Sequence, residues 1–396
     1  MRNKIERLLA CILPMGIPFA WRQLSIEKKR LLAAIAGVSF GAIIMTFQLE
    51  IFNAAMLMSV RPLMALKGQL VMVDRNYEYF LSNVTFTRRR LYQAKAVPGV
   101  KNVFPLYTAL APMRNPVTHM YKMVFVMGIN PDANPFTFPA VKKNLELLKD
   151  PENILFDALS RSDFGPIPAL FKKYGSVGTE IAGKKVRVAG LFHMGQTLAV
   201  TGHVITSYEG LCRIQPGRDP GMINVGLISL QPGADPEETA RRITRVIPDD
   251  VEIISRHEFI HREQAYWKKR TPIGFITVAS MFVAMVVGAV VVYQILYTDI
   301  TDHLSEYATL KAIGYKDRFF LQLILTQSLI LLALSMIPFL PIIVALNYVT
   351  QYLAGLPAHL SATEFALVFL VATLMCSAAG LLATRRLRTA DPADIF

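Results

Sequence analysis

Charged residues are missing from four long stretches of the chain. Leu31 to Leu49 has 19 residues without Asp, Glu, Lys or Arg, Thr271 to Thr298 has 28, Phe319 to Thr363 has 45, and Phe365 to Thr384 has 20. A helix rises about 1.5 Å per residue, so about 20 residues cover the roughly 30 Å hydrocarbon core of a bilayer. A charge at the centre of such a helix costs about 2.5 to 3.5 kcal/mol on insertion, while each Leu, Ile, Val or Phe contributes roughly −0.3 to −0.6. The gaps therefore predict transmembrane helices over 31–52, 271–298, 319–346 and 364–384. The 45-residue gap exceeds one crossing, and Pro338 and Pro341 can either kink one helix or turn a hairpin of two.

Parity chooses between four spans and five. Lys28, Lys29 and Arg30 precede the first span, and Arg385, Arg386 and Arg388 follow the last. The positive-inside rule puts both ends in the cytoplasm of a bacterial inner membrane, which requires an even number of crossings. Lys268, Lys269 and Arg270 then abut the second span on the outer side, where long translocated segments largely escape the rule. Residues 1–30 read as an amphipathic cytoplasmic helix, with FAWRQLSIEKKR along the inner surface and Trp21 at the headgroups. LLAC is not a lipoprotein cleavage box, because only Leu8, Leu9 and Ala10 separate Arg7 from Cys11 and no apolar h-region fits between them.

Residues 53–270 form the long outer domain, and two of its segments share a pattern. QLVMVD reads as a strand, TRRRLYQAKA as a helix and VKNVFPLY as a strand; NVGLISL, PEETARRITRVI and VEIIS repeat that order. Pro98 and Pro248 follow the two helices and stop them. Two such βαβ units predict a split, ferredoxin-like α+β module. The stretch between them, about residues 109–220, is richer in Gly and Pro and reads as an inserted subdomain of short strands.

Composition sharpens this picture. Of 396 residues, 53% are hydrophobic and 18% charged, against about 25% charged in soluble domains. The net charge of +13 alone would suggest a nucleic-acid binder. Residues 53–270 hold 29 basic and 19 acidic side chains, so +10 of that charge lies outside the cytoplasm and nucleic acid is excluded as a partner. The basic residues are scattered, which suits a solvated face or attraction to membrane lipid. Cys11, Cys212 and Cys376 lie far apart and indicate neither a disulfide framework nor a thiolate metal site.

Two motifs carry candidate chemistry. GTEIAGKK (178–185) matches a P-loop except at its last position, where Lys185 replaces the hydroxyl that would hold magnesium. A strand pattern follows it where a P-loop opens a helix, so a β-hairpin turn at Gly183 is expected. HEFIH (257–261) is a literal H-E-x-x-H, the spacing that puts two imidazoles on one helical face with Glu258 as general base of a zinc protease. No third ligand follows nearby except Glu263, and the charged run RHEFIHREQAYWKKR reads instead as a stalk helix entering the second span, with Glu258, Tyr266 and Trp267 as its marked residues. No catalytic or metal site is assigned.

The loop at 299–318, DITDHLSEYATLKAIGYKDR, faces the cytoplasm, and residues 347–363 form a short outer loop. Its 20 residues exceed what a plain connection needs and allow a short helix ended by Gly314 in a left-handed conformation. Asp299, Asp302 and Glu306 make the start acidic and offer partners to basic side chains.

With AYWKKRTPIGFI, VVYQILYTDITDHLSEYATLKAIGY and the closing RRLRTADPADIF, the chain resembles the FtsX-like/MacB-type ABC transporter permeases, and most closely the DevC-type permease of cyanobacterial tripartite glycolipid exporters. The resemblance covers the whole plan: a basic start, one span, a domain of about 220 residues, then three spans and a tail at 385–396. It implies an integral membrane α-helical protein of four transmembrane helices with a large α+β extracytoplasmic domain of MacB-like type. It also implies that Glu306, Tyr307, Ala308, Thr309, Leu310, Lys311, Ala312, Gly314 and Tyr315 form a coupling helix docking on a separate ATPase subunit, which binds ATP and Mg while this chain binds no cofactor. The further partners implied are a second copy in a homodimer, a periplasmic membrane-fusion adaptor protein and a TolC-like outer-membrane channel, with a lipid, glycolipid or other hydrophobic cargo. An FtsX-type relay that moves an outer partner without transport is the alternative.

Overall fold

The computed structural model describes residues 17–303, 309–310, 313–354 and 361–389. The chain divides into two compact units, Met1–Ala54 with Ile273–Phe396, and Ala55–Pro272.

The first unit is helical. Among the described residues, helices Lys28–Met64, Pro272–Asp302, Asp317–Val349 and Ala362–Thr389 hold the four stretches long and apolar enough to cross a membrane. They are apolar all round, and large side chains such as Phe275, Val344 and Leu374 stay exposed, as lipid-facing positions do. Pro338 and Pro341 both lie inside one helix, so the long uncharged gap is not a hairpin. A hairpin there would leave loop backbone unpaired in hydrocarbon, whereas a proline within a transmembrane helix frees only one carbonyl. The helix is followed by a π-type turn at Thr350–Ala354.

A feature missed in the sequence sets the packing of the first two long helices. Gly37 and Gly41 stand one turn apart, and a Cβ on Gly37 would come within 2.2 Å of Val291, while one on Gly41 would touch the Cα of Gly288 at 3.5 Å. This small-xxx-small spacing lets two backbones approach closely without a hydrophobic driving force. Gly37→Leu is therefore expected to separate these helices; a Cys pair at Arg30 and Asp302, whose side chains meet across the same two helices, would report it as lost cross-linking by a short bifunctional thiol reagent. Unchanged cross-linking would show that the close approach is dispensable. Polar ties add to the packing: Asn347 Nδ2 donates to Glu50 Oε1 at 3.0 Å, and Asn53 donates to Glu364.

The short helix Ile17–Ile26 buries Ala20 and Leu24 in a cluster with Val292, Phe320 and Leu323. These two side chains thus face protein, while Ile26 at the end of the helix stays exposed.

The second unit is an α/β structure built on one nine-stranded sheet. Its strands are β1 (Leu70–Asp74), β3 (Val100–Arg114), β4 (Tyr121–Ile129), β5 (Asn153–Asp157), β6 (Val177–Ile181), β7 (Lys184–Phe192), β8 (His203–Ser207), β10 (Val225–Leu230) and β11 (Val251–Ser255); β2 (Phe86–Thr87) and β9 (Met222–Ile223) form a separate pair. The order begins β11-β1-β10-β3, with helices Arg88–Lys95 and Pro236–Val246 as the two crossovers. That interleaving of two βαβ units is the ferredoxin-like order. The helices start where a cap is available: Thr87 and Asp235 accept from the second residue of each.

The stretch expected as a separate insert shares a strand with this sheet. β3 has 15 residues; its first half pairs with β10, and its second half pairs with β4 on the other side. The order continues β4-β8-β5-β7-β6, and β6 returns to pair with β3 at Met113 and Ile181. Six strands thereby close into a small barrel, which removes the free edges that an open insert would carry. Ala182 and Gly183 form the two-residue turn between β6 and β7, both with positive φ, as a type I′ hairpin requires.

Candidate functional site

The acidic end of the second long helix has a partner. Asp302 pairs with Arg30, which also holds Glu27 at 2.8 Å, so the start of the first long helix and the end of the second are tied by charge. Of the nine residues expected in the coupling helix, Glu306, Tyr307, Ala308, Lys311 and Ala312 lie outside the described residues. Thr309 and Leu310 carbonyls accept from Ile313 and Tyr315 at 3.1 and 3.2 Å. Gly314 follows with φ of +107°, a conformation that L side chains rarely adopt. Ile313, missed in the sequence reading, is 72% exposed, and Tyr315 is half-exposed with its ring 4.7 Å from Phe319. Ile313 and Tyr315 thus both reach solvent beside this glycine.

The stalk helix is Arg256–Lys269, capped by Ser255, whose Oγ accepts from Glu258 N at 3.1 Å. Glu258 itself points to solvent and accepts from Arg262 at 2.8 Å; Arg262 also holds Glu252 through two contacts of 2.7 Å. That fork keeps the Glu252 carboxyl below its ordinary range and raises Arg262 further. Tyr266 stacks on Tyr79, with centroids 4.2 Å apart and planes within 8°. Trp267 meets the edge of Tyr79 and donates its indole N–H to Glu263 at 2.9 Å.

Glu263 is the residue that the sequence reading passed over. It is fully buried, and it accepts from Phe80 N at 2.7 Å and stands 3.4 Å from the Tyr77 hydroxyl. It thus pins the segment after β1 to the stalk helix. Burial pushes its carboxyl up to about 7 against three hydrogen bonds that pull it down. The signal was present: Phe259, Glu263 and Trp267 recur every four residues, which places Glu263 on the one apolar stripe of a charged helix.

A second buried polar centre holds the loop between β7 and β8. Asp157, at the end of β5, accepts from Met194 N at 2.9 Å, Gly195 N at 2.8 Å and Leu159 N at 3.1 Å. His203 lies with its Nδ1 3.7 Å from Asp157 and its Nε2 3.3 Å from Thr197 Oγ1. Burial would raise the Asp157 carboxyl, but His203 and the backbone donors together hold it below its ordinary value. Burial lowers the His203 imidazole, so it is neutral beside a charged aspartate. Arg61 closes the loop from the far side, where Nη1 contacts the Gln196 carbonyl at 3.4 Å.

The H-E-x-x-H pair sits on this stalk helix at His257 and His261, with Glu258 engaged by Arg262. Among the described residues no group of three His, Cys, Asp or Glu side chains gathers to hold a metal.

Residues 278–392 match the family described as FtsX-like permease C-terminal. The chain carries an FtsX-like permease segment. The match takes in three of the four long helices and the loop at 299–318. No curated protein matches the chain. Solved structures similar to it include the following three. The periplasmic region of MacB from Actinobacillus actinomycetemcomitans shows 9% identity and a TM-score of 0.35 over 50% of this chain and 92% of that one. The extracellular domain of the noncanonic ABC-type transporter YknZ from Gram-positive bacteria gives 13% and 0.32, over 47% and 98%. A domain of a permease protein from Porphyromonas gingivalis gives 13% and 0.29, over 47% and 86%.

Proposed function

We propose that this chain is the permease subunit of an ATP-driven ABC exporter of FtsX/MacB type, resident in a bacterial inner membrane with both ends in the cytoplasm. The observation that carries this is the FtsX-like match over 278–392, because it includes the loop at 299–318 through which a separate ATPase would act. The P-loop-like stretch of the chain is a hairpin turn, so in this reading ATP and Mg belong to the ATPase subunit. Residues 306–312, with Gly314 and Tyr315, would dock on that ATPase; the tie between Arg30 and Asp302 would pass its motion to the first two long helices. The stalk helix would then move the outer domain, 53–270. A homodimer, an adaptor protein, a TolC-like channel and a lipid or glycolipid cargo of DevC type are finer parts of the same proposal, resting on resemblance.

Glu306→Lys tests it. Reversing one charge in a segment whose other acids are Asp299, Asp302 and Asp317 should cut the ATPase activity that co-purifies with the tagged chain at least about tenfold, without changing the amount of folded chain. Equal ATPase capture by parent and variant would contradict the assignment. Retained ATPase with no export by the parent would favour an FtsX-type relay.

A further inference from the structure

The α/β unit has a cleft of about 660 Å³ beside the stalk helix, within the range that encloses small ligands. One wall is aromatic: Tyr79 and Tyr266 stacked face to face, with Trp267 edge-on to both. Leu110 and Met123 from the β3–β4 hairpin extend the apolar surface and are about half exposed. The rim is cationic. Lys122 Nζ and Arg161 Nε lie 3.6 and 3.8 Å from the single carboxylate of Asp163, too far for hydrogen bonds, so two cations share one counter-charge and keep donors to offer. Thr271, another lining residue, is followed in the chain by Pro272, where an apolar helix begins.

We propose that this cleft binds a single-chain amphiphile with an anionic headgroup, the headgroup at Lys122 and Arg161 and the upper part of the chain along Tyr79, Tyr266 and Trp267. Charge complementarity selects the headgroup: a phosphate or carboxylate gains two charge-assisted contacts that a zwitterion must share with its own cation. The aromatic wall, extended by Leu110 and Met123, favours an amphiphile over a free anion. A role for this site as the cargo site rests on the permease reading; binding itself does not, because it needs no ATPase.

The chain has two tryptophans, Trp21 and Trp267, so Trp21→Phe leaves one indole, inside the cleft. The full chain with that change, in phosphatidylcholine nanodiscs and without ATPase, would be titrated with lysophosphatidic acid and with lysophosphatidylcholine. The expected result is a saturable shift of Trp267 emission, with half-saturation at least about tenfold lower for the anionic lipid. K122Q/R161Q should lose that preference, and K122R/R161K should keep it; both sites are more than half exposed, so neither pair threatens the fold. Equal responses to the two lipids, or an unchanged preference in K122Q/R161Q, would mean chain partitioning alone and overturn the proposal. Saturation by inorganic phosphate at the same concentration would reduce the site to an anion site and overturn it too. Failure of Glu306→Lys to release the ATPase would leave this result untouched, so the two readings fall separately.

Discussion

Asp157→Ala should destabilise the α/β unit by about 3 to 5 kcal/mol at neutral pH, through the backbone donors that its carboxylate serves. The carboxylate is fully buried and serves three backbone N–H groups, two of them in the loop that lines the cleft through Ala199, Val200 and Thr201. Alanine leaves those donors without partners, each at roughly 1 to 3 kcal/mol. Asp157→Asn should fall between, since one amide oxygen can serve Met194 and Leu159 while its NH2 faces Gly195 N–H. The pH dependence has a definite sign. The folded carboxyl titrates below its unfolded value, so its stabilisation is complete above about pH 4 and is lost as pH falls through the folded value. His203, lowered by burial, acts the same way as acid charges it below about pH 6.5. Denaturant titrations of parent and Asp157→Ala should therefore converge in acid. A difference under about 1 kcal/mol at pH 7 would show that the loop stands without this anchor.

Glu263 should give the opposite slope. Its folded carboxyl is raised from 4.5 to about 7, so the folded state holds its proton more tightly than the unfolded chain. Stability is then full below about pH 4.5 and declines as pH rises to about 7, by about 3 kcal/mol for a shift of this size. Glu263→Gln removes the titration. It also sacrifices one acceptor, because a carboxamide cannot satisfy both Trp267 Nε1 and Phe80 N. The free-energy gap between parent and Glu263→Gln should accordingly be larger at pH 5 than at pH 8. Equal gaps at both values would mean that Glu263 keeps an ordinary carboxylate in the folded protein. The stacked Tyr79 and Tyr266 pair offers a second readout, since release of the segment after β1 would change Trp267 emission.

The apolar helices and the crossover helices were legible because each rests on a local rule. A run of 19 to 45 residues without charge has no alternative to burial in lipid or protein, and a helix that starts at Asp235 and stops before Pro248 announces both ends. The candidate surfaces were harder. Glu258, Tyr266 and Trp267 were legible as stalk residues, but Glu263 looked like one more charge in RHEFIHREQAYWKKR. Its burial depends on Phe80 and Tyr77, which lie more than 180 residues earlier in the chain. Asp157 and His203 gave no signal at all, because 46 residues separate two side chains that only the β5–β8 pairing brings within reach.

By itself the sequence determined where the chain is apolar enough to leave water and which segments turn as helices or strands. Those properties follow from side-chain transfer energies and short-range spacing, which neighbours in the chain decide. Only the tertiary structure decided that β3 serves both halves of one sheet, that Gly37 and Gly41 admit a second helix, and that a buried acid ties the stalk helix to the segment after β1. Each of these depends on residues far apart in the chain meeting at contact distance, and a protonation state near neutral pH exists only once that meeting has excluded water.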